Sequence, residues 1–384
     1  MSASYQIINA KVVAPDEILD DASITVSDGV ITDISQGREA TSPVVIDARG
    51  QYLLPGFIDL HCDAVEKGIE PRPGTFFPTN VALYELDKTL ASCGVTTMYH
   101  SLSFAENETG IRSNLMAASV LRSVNDMQDN FRIKTRVHTR FEITDQCAVP
   151  VLKQLIEEEH VDLFSFMDHS PGQGQFKTIS SFKDYFGPVY KKTDAEMNAL
   201  IATKLQARES AAQHYVSELL ALCHDKNVPI ASHDDDTPEK ISWLKERHIT
   251  LSEFPINMET ALAAKNQGVQ TLLGSPNIFR GSSQSKNLSA REAIAQGCGD
   301  ILCSDYAPLT LVHAVFMLRD LGLKTLSEAV RMTSLNPALA VGIENQTGSI
   351  EIGKDADLVL VGNGGDFPRI VRTFVKGREV FQSC

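Results

Sequence analysis

Between residues 53 and 335 the chain repeats one theme: a short apolar, β-branched run, then a helical window. Eight runs carry it: Leu53–Asp63, Thr96–Leu102, Ile133–Ile143, Val161–His169, Val228–Asp235, Ile249–Pro255, Thr271–Asn277 and Asp300–Tyr306. Asn114–Met127 and Ala195–His224 are among the helical windows. Strands alternating with helices predict a parallel sheet covered by helices. Eight such units predict closure into a (β/α)8 TIM barrel, an α/β fold. The ends read differently. Residues 5–14, 23–34 and 43–54 look like short strands, with Asp28-Gly29 as a two-residue hairpin turn. The tail from 347 to 381 is also β-rich, with a turn at Lys376-Gly377-Arg378-Glu379. The expected organisation is a small β-sandwich module from 1–55 plus 341–384, around a barrel from 56 to 340. Residues 170–193 form the longest loop-like stretch.

Composition narrows the function classes. Asp and Glu number 49 against 35 Lys and Arg, a net charge of −14. So acidic a chain is a poor partner for nucleic acid or anionic lipid. It has no apolar run of the roughly 18 residues that a membrane helix needs, and its first residues lack a secretory pattern. The seven cysteines are unclustered. Free thiols in a reducing cytoplasm are therefore expected.

In a barrel the chemistry collects at the C-terminal ends of the strands. Strand one ends His61-Cys62-Asp63, and residues two apart share a face. Strand three carries His138, Arg140 and Glu142 at that spacing. Strand four ends Asp168-His169, strand five His233-Asp234-Asp235-Asp236, strand six carries Glu253 and strand eight ends Asp305. Asp236, ahead of Thr237-Pro238, reads as a helix cap. Mixed imidazole and carboxylate donors on these six strands predict a divalent metal centre of zinc, manganese or iron.

Pro55-Gly-Phe-Ile-Asp-Leu-His61-Cys-Asp63 resembles the opening of the amidohydrolase superfamily, with Asp63 where most members carry a second His. Ser304-Asp305 and the tail Gly348–Leu358 fit the same pattern. A narrower likeness is carried by residues 61–74, 137–142, 166–176, 231–239, 252–255, 274–281 and 303–306. They are similar to the family of triphosphate diphosphatases that act on a ribose phosphonate in the bacterial carbon–phosphorus lyase pathway. This chain departs from that family at Gly174, Gln284 and Lys286.

The resemblance implies a roster of residues. His61 and Asp63 would hold a first metal with Asp305, and Glu142 would stand for a bridging group. His233 would take the strand-five ligand position and Glu253 the strand-six position. Two ions are implied, with Asp305 as the catalytic proton acceptor. Arg72, Arg140, His169, Gln173, Arg280 and Lys286 are the implied substrate contacts; His169 could equally be a ligand. The partner would be a small phosphorylated ribose, with homo-oligomerisation left open. A hydrolase of C–N bonds, such as a deacetylase or cyclic amidase, is the alternative.

Overall fold

The computed structural model describes residues 4–37, 39–40, 42–106, 113–174, 178–190, 193–210, 212–283, 287–362, 365 and 367–383. Five strands precede the barrel: β1 (Tyr5–Val13), β2 (Ile18–Ser27), β3 (Val30–Gln36), β4 (Val45–Asp47) and β5 (Tyr52–Pro55). The barrel strands are β6 (Phe57–Cys62), β7 (Val95–Phe104), β8 (Lys134–Glu142), β9 (Leu163–Met167), β10 (Ile230–His233), β11 (Leu251–Glu253), β12 (Gln270–Gly274) and β13 (Ile301–Cys303). Three more follow: β14 (Leu358–Gly362), β15 (Arg369–Val375) and β16 (Arg378–Gln382).

β6 to β13 form one eight-stranded sheet whose neighbours pair in parallel and in chain order. The ring is completed by a parallel bridge between Cys62 and Asp305. There Asp63 N–H donates to the Asp305 carbonyl at 2.8 Å and Asp305 N–H to the His61 carbonyl at 2.9 Å. The second sheet runs β16-β15-β14-β5-β1-β2-β3, with β4 on β1, so both chain ends build it. Ile7, Ile24, Leu358 and Phe374 lie in its buried core. Lys134, at the start of β8, joins the two sheets: its ammonium donates to Asp355 at 2.7 Å and Asp357 at 2.6 Å.

Four details differ from the sequence expectations. The run from Leu53 to Asp63 is two strands, one in each sheet. The chain crosses between them at Gly56, where a β-carbon would lie 2.1 Å from Thr96 Oγ1. The stretch from 170 to 193 contains a helix, Ile179–Tyr190. Phe182 and Phe186, four apart, bury against Met197 and Ile201, and that helical spacing was masked by Gly187-Pro188. The long window from 195 to 224 holds two helices, Asp194–Ser210 and Ala212–Asp225. Finally, the cap of the helix Pro238–Glu246 is Thr237, which accepts from Lys240 N–H at 3.1 Å. Asp236 instead accepts from Gly174 N–H at 3.1 Å.

The barrel positions its chemistry by layering. Ile58, Leu163, Ala231, Leu251, Leu272 and Ile301 form one buried apolar cluster near the strand starts. The histidines and carboxylates occupy the strand ends. No described helix is long and apolar enough to cross a membrane. The six described cysteines are free thiols.

Candidate metal centre

Three strand ends turn inward through the same backbone device. Asp234, Phe254 and Asp305 have φ of 55°, 53° and 60°, a left-handed conformation that costs non-glycine residues energy. Each is held by a bond to the neighbouring strand. Asp234 N–H donates to the Glu253 carbonyl, Phe254 N–H to that of Leu272 and Asp305 N–H to that of His61, all at 2.9 Å. Two buried carboxylates stiffen the rim from below. Asp59 accepts from the N–H groups of His61 at 3.3 Å and Ser304 at 3.0 Å; burial pushes it up to about 6. Asp235 accepts from the Ser232 and Ser252 hydroxyls, both at 2.6 Å, which ties β10 to β11.

The donors gather in two adjacent groups, His61 with His138 and Glu253, and His169 with His233 and Asp234. In the first, His61 Nδ1 lies 3.0 Å from Glu253 Oε1. His138 is within 3.0 Å of the Leu60 carbonyl through Nδ1 and of Ser165 Oγ through Nε2. In the second, Asp234 Oδ2 lies 3.3 Å from His233 Nδ1 and 3.5 Å from His169 Nε2. The His61 and His233 ring centroids are 5.4 Å apart, so the groups abut.

The donor set fits divalent cations. His233 Nδ1, Asp234 Oδ2 and Glu253 Oε2 are buried without a hydrogen-bond partner, a costly state unless something binds there. Asp305 is pushed up to about 7, by burial first and then by Asp63, Asp234 and Asp59, against the pull of Arg140. Crowded carboxylates of this kind are what a bound cation relieves.

Most of the residues expected from sequence meet here. His61, Asp63, His169, His233, Asp305, Arg140 and Arg280 line one cavity of about 220 Å³ above the donor groups. Arg140 is buried and its Nη2 lies 3.1 Å from His233 Nε2. Guanidinium can only donate, so His233 Nε2 is the acceptor of that contact and Nδ1 is left on the Asp234 side. Arg280 is exposed, at the end of the short helix Ser275–Arg280.

Others are placed differently. Glu142 lies outside both donor groups: it accepts from Thr144 Oγ1 at 2.8 Å and His169 N–H at 3.2 Å. Its Oε2 is 3.3 Å from His169 Nδ1. Burial would raise it, but Lys204, His169 and Thr144 hold it at about 2. Its carboxylate therefore faces His169. Arg72 does not reach the cavity wall. It is exposed in a local turn closed by Thr75 N–H to the Arg72 carbonyl at 2.9 Å and Gly74 N–H to Glu70 Oε1 at 2.7 Å. Gln173 lines a second cavity beside the first. Gln284 and Lys286 lie outside the described residues.

Sequence reasoning left His138 and Asp234 off the roster of ligands. His138 shares its strand face with Arg140 and Glu142, which was the available signal. Asp234 depends on a left-handed turn that no pattern announces.

Residues 163–380 match the Amidohydrolase family. The chain is 32% identical over 379 residues to alpha-D-ribose 1-methylphosphonate 5-triphosphate diphosphatase of Escherichia coli K12, covering 98% of this chain and all of that protein. It is 25% identical to imidazolonepropionase of Phocaeicola vulgatus over the full length of both. Among solved structures, N-acetylglucosamine-6-phosphate deacetylase from Pasteurella multocida superposes with a TM-score of 0.67 at 15% identity, over 98% of this chain and 99% of that one.

Proposed function

Because the chain belongs to the amidohydrolase family, we propose that it is a metal-dependent hydrolase that releases diphosphate from a ribose 5-triphosphate carrying a 1-phosphonate ester. The observation that carries this reading is one small cavity that pairs a His/carboxylate donor floor with two arginines. A substrate without an anionic group would leave these two guanidinium groups with nothing to bind. A polyphosphate engages them, because Arg matches phosphate oxygens in bidentate fashion. The identity to a relative named for that reaction points the same way.

The residues divide the work. His61, His233, Glu253 and Asp234, with Asp63 and Asp305 on the same wall, would hold zinc, manganese or iron ions, and two adjacent groups suit two ions. A bound divalent cation supplies a water acidified toward ~7 and draws charge from phosphate oxygens. Asp305 accepts the proton of the attacking water and returns it to the departing oxygen. Arg140 grips the phosphate nearest the donors, and Arg280 with Asn277 and Ser282 grips the outer ones. Glu142 keeps His169 turned toward Asp234.

Incubation of the purified protein and Mn²⁺ or Zn²⁺ with the ribosyl triphosphate, followed by phosphorus NMR, tests the reading. Diphosphate and the 5-phosphate should appear together. Orthophosphate in place of diphosphate, or amine release from a C–N substrate at a higher rate, would refute it.

A further inference from the structure

A second cavity, of about 580 Å³, adjoins the first, and His233 and Asp234 line both. Its size falls in the roughly 300–1,000 Å³ range of small-molecule sites, whereas the first cavity lies below it. The two walls differ in charge. The second presents Asp168, Asp235, Asp236 and Glu239 beside Asp234, against only Arg208 and Lys240. Arg208 and Asp168 are paired with each other, Nε 2.8 Å from Oδ2, which leaves Asp234, Asp235, Asp236 and Glu239 against Lys240. A diphosphate would be repelled there. A neutral, hydroxyl-rich group would not, since carboxylates and amides accept hydroxyl protons readily.

The free functional groups agree. Gln173, Gln213 and Glu239 make no side-chain hydrogen bond or ion pair among the described residues, yet all three line this cavity. Lys240 makes no direct ion pair among the described residues; its charge favours the Asp235 carboxylate, and its ammonium rests 4.4 Å from the centroid of the Trp243 ring. Phe166, Met167 and Val216 supply an apolar floor.

Resting on the diphosphatase reading, we infer that the substrate straddles the His233–Asp234 partition. Its triphosphate lies in the arginine-bearing cavity and its sugar in the carboxylate-rich one. The ring's carbon face packs on the Phe166 and Met167 floor. The ring hydroxyls meet Gln173, Gln213 and Glu239. Lys240 faces the single negative charge of the phosphonate ester. Specificity for a sugar with a mono-anionic substituent is thus written beside the helix Pro238–Glu246, away from the reacting phosphorus.

Trp243 is the chain's only tryptophan, so its fluorescence reports on this cavity without any label. In the metal-loaded protein, D-ribose 5-phosphate should change its emission saturably, and inorganic diphosphate should not. In Glu239→Gln, KM for the ribosyl triphosphate should rise about tenfold relative to the inhibition constant of tripolyphosphate, the lower end for an exposed charged hydrogen bond. Both results are required. Emission that answers to diphosphate, or to neither probe, overturns the inference, and so does an unchanged ratio in the variant. Phosphorus NMR on the same sample separates the two readings. Diphosphate release with a silent Trp243 sinks only the sugar site, while a responsive Trp243 without diphosphate release sinks the reaction.

Discussion

Replacing Arg140 with Met tests whether the cations of the site serve the substrate or the donors. Arg140 is only 5% exposed, and its Nε has no hydrogen-bond partner while Nη2 meets His233 Nε2 at 3.1 Å. Methionine keeps much of the length and fills the space, so the change removes charge and donors more than packing. A hydrogen bond to a charged group is worth about 1.5–3 kcal/mol, and each ~1.4 kcal/mol is tenfold in affinity. KM for the triphosphate should therefore rise roughly 10- to 150-fold, toward the upper end because the site is buried. Metal content should not fall, since His233 loses a competing donor rather than a support. Lysine at the position should restore part of the loss, because it keeps the charge without the fork. Steady-state kinetics alongside elemental analysis reads both quantities. Loss of metal with an unchanged KM would show that Arg140 maintains His233 and takes no part in holding phosphate.

Arg280→Ala should raise KM less than the Arg140 change, because Arg280 is exposed; its effect should shrink as salt shortens the screening length below ~8 Å, which a KM series in NaCl would show. Asp305→Asn should lower kcat by at least ~100-fold, the scale of a lost general base, with KM moving far less; equal turnover would remove Asp305 from the reaction. His100 is fully buried and burial lowers it to about 4. The unfolded chain takes up its proton near ~6.5 and the folded one only near 4, so acidification through that window should cost up to about 3 kcal/mol. His100→Gln should flatten the decline in urea-melt stability between those pH values. Lys134→Met should lower thermal stability, as it leaves Asp357, which is almost wholly buried, without its ammonium partner; an unchanged melting temperature would mean that this ion pair adds nothing to the joint between the two sheets.

The barrel was legible because its signal is repeated. Eight apolar runs, each interrupted by helical periodicity, leave few alternatives, and all eight contribute a strand. The hairpins were legible because Asp28-Gly29 and Lys376-Gly377 adopt the left-handed pair that a two-residue turn demands, with φ of 55° and 81°, then 46° and 70°, although the second turn is shorter than the expected 376–379, since Arg378 and Glu379 already belong to β16. What stayed hidden depends on contacts between distant segments. Nothing local says that Gly56 must yield to Thr96, or that Asp236 will bond to Gly174 rather than cap its own helix. Arg72 stands between Pro71 and Pro73, which fix backbone dihedrals but say nothing about which way the turn faces. At the rim, spacing found His61 and Arg140. It could not separate a ligand from a support, and Glu142 shows why. Its strand position matches the expectation, while its carboxylate accepts from Thr144 Oγ1 and the His169 N–H.

The charge arrangement explains how so acidic a chain can serve an anionic substrate. The net charge of −14 acts at long range, where salt screens it over ~8 Å. Inside the cleft only near neighbours count, and there the protein has concentrated more carboxylate still: Asp63, Asp234 and Asp305 share one wall with two arginines. That surplus raises Asp305 to about 7 through burial first and its acidic neighbours next. It is a liability for a metal-free phosphate site and an asset for one completed by divalent cations, each of which reverses the local sign. The arginines then need not overcome the carboxylates. On the proposed reading they would extend the positive field of the ions outward along the polyphosphate. The second cavity shares His233 and Asp234 with the first but adds Asp168, Asp235, Asp236 and Glu239, and on the inferred reading that acidity disfavours phosphate there and suits a hydroxylated sugar.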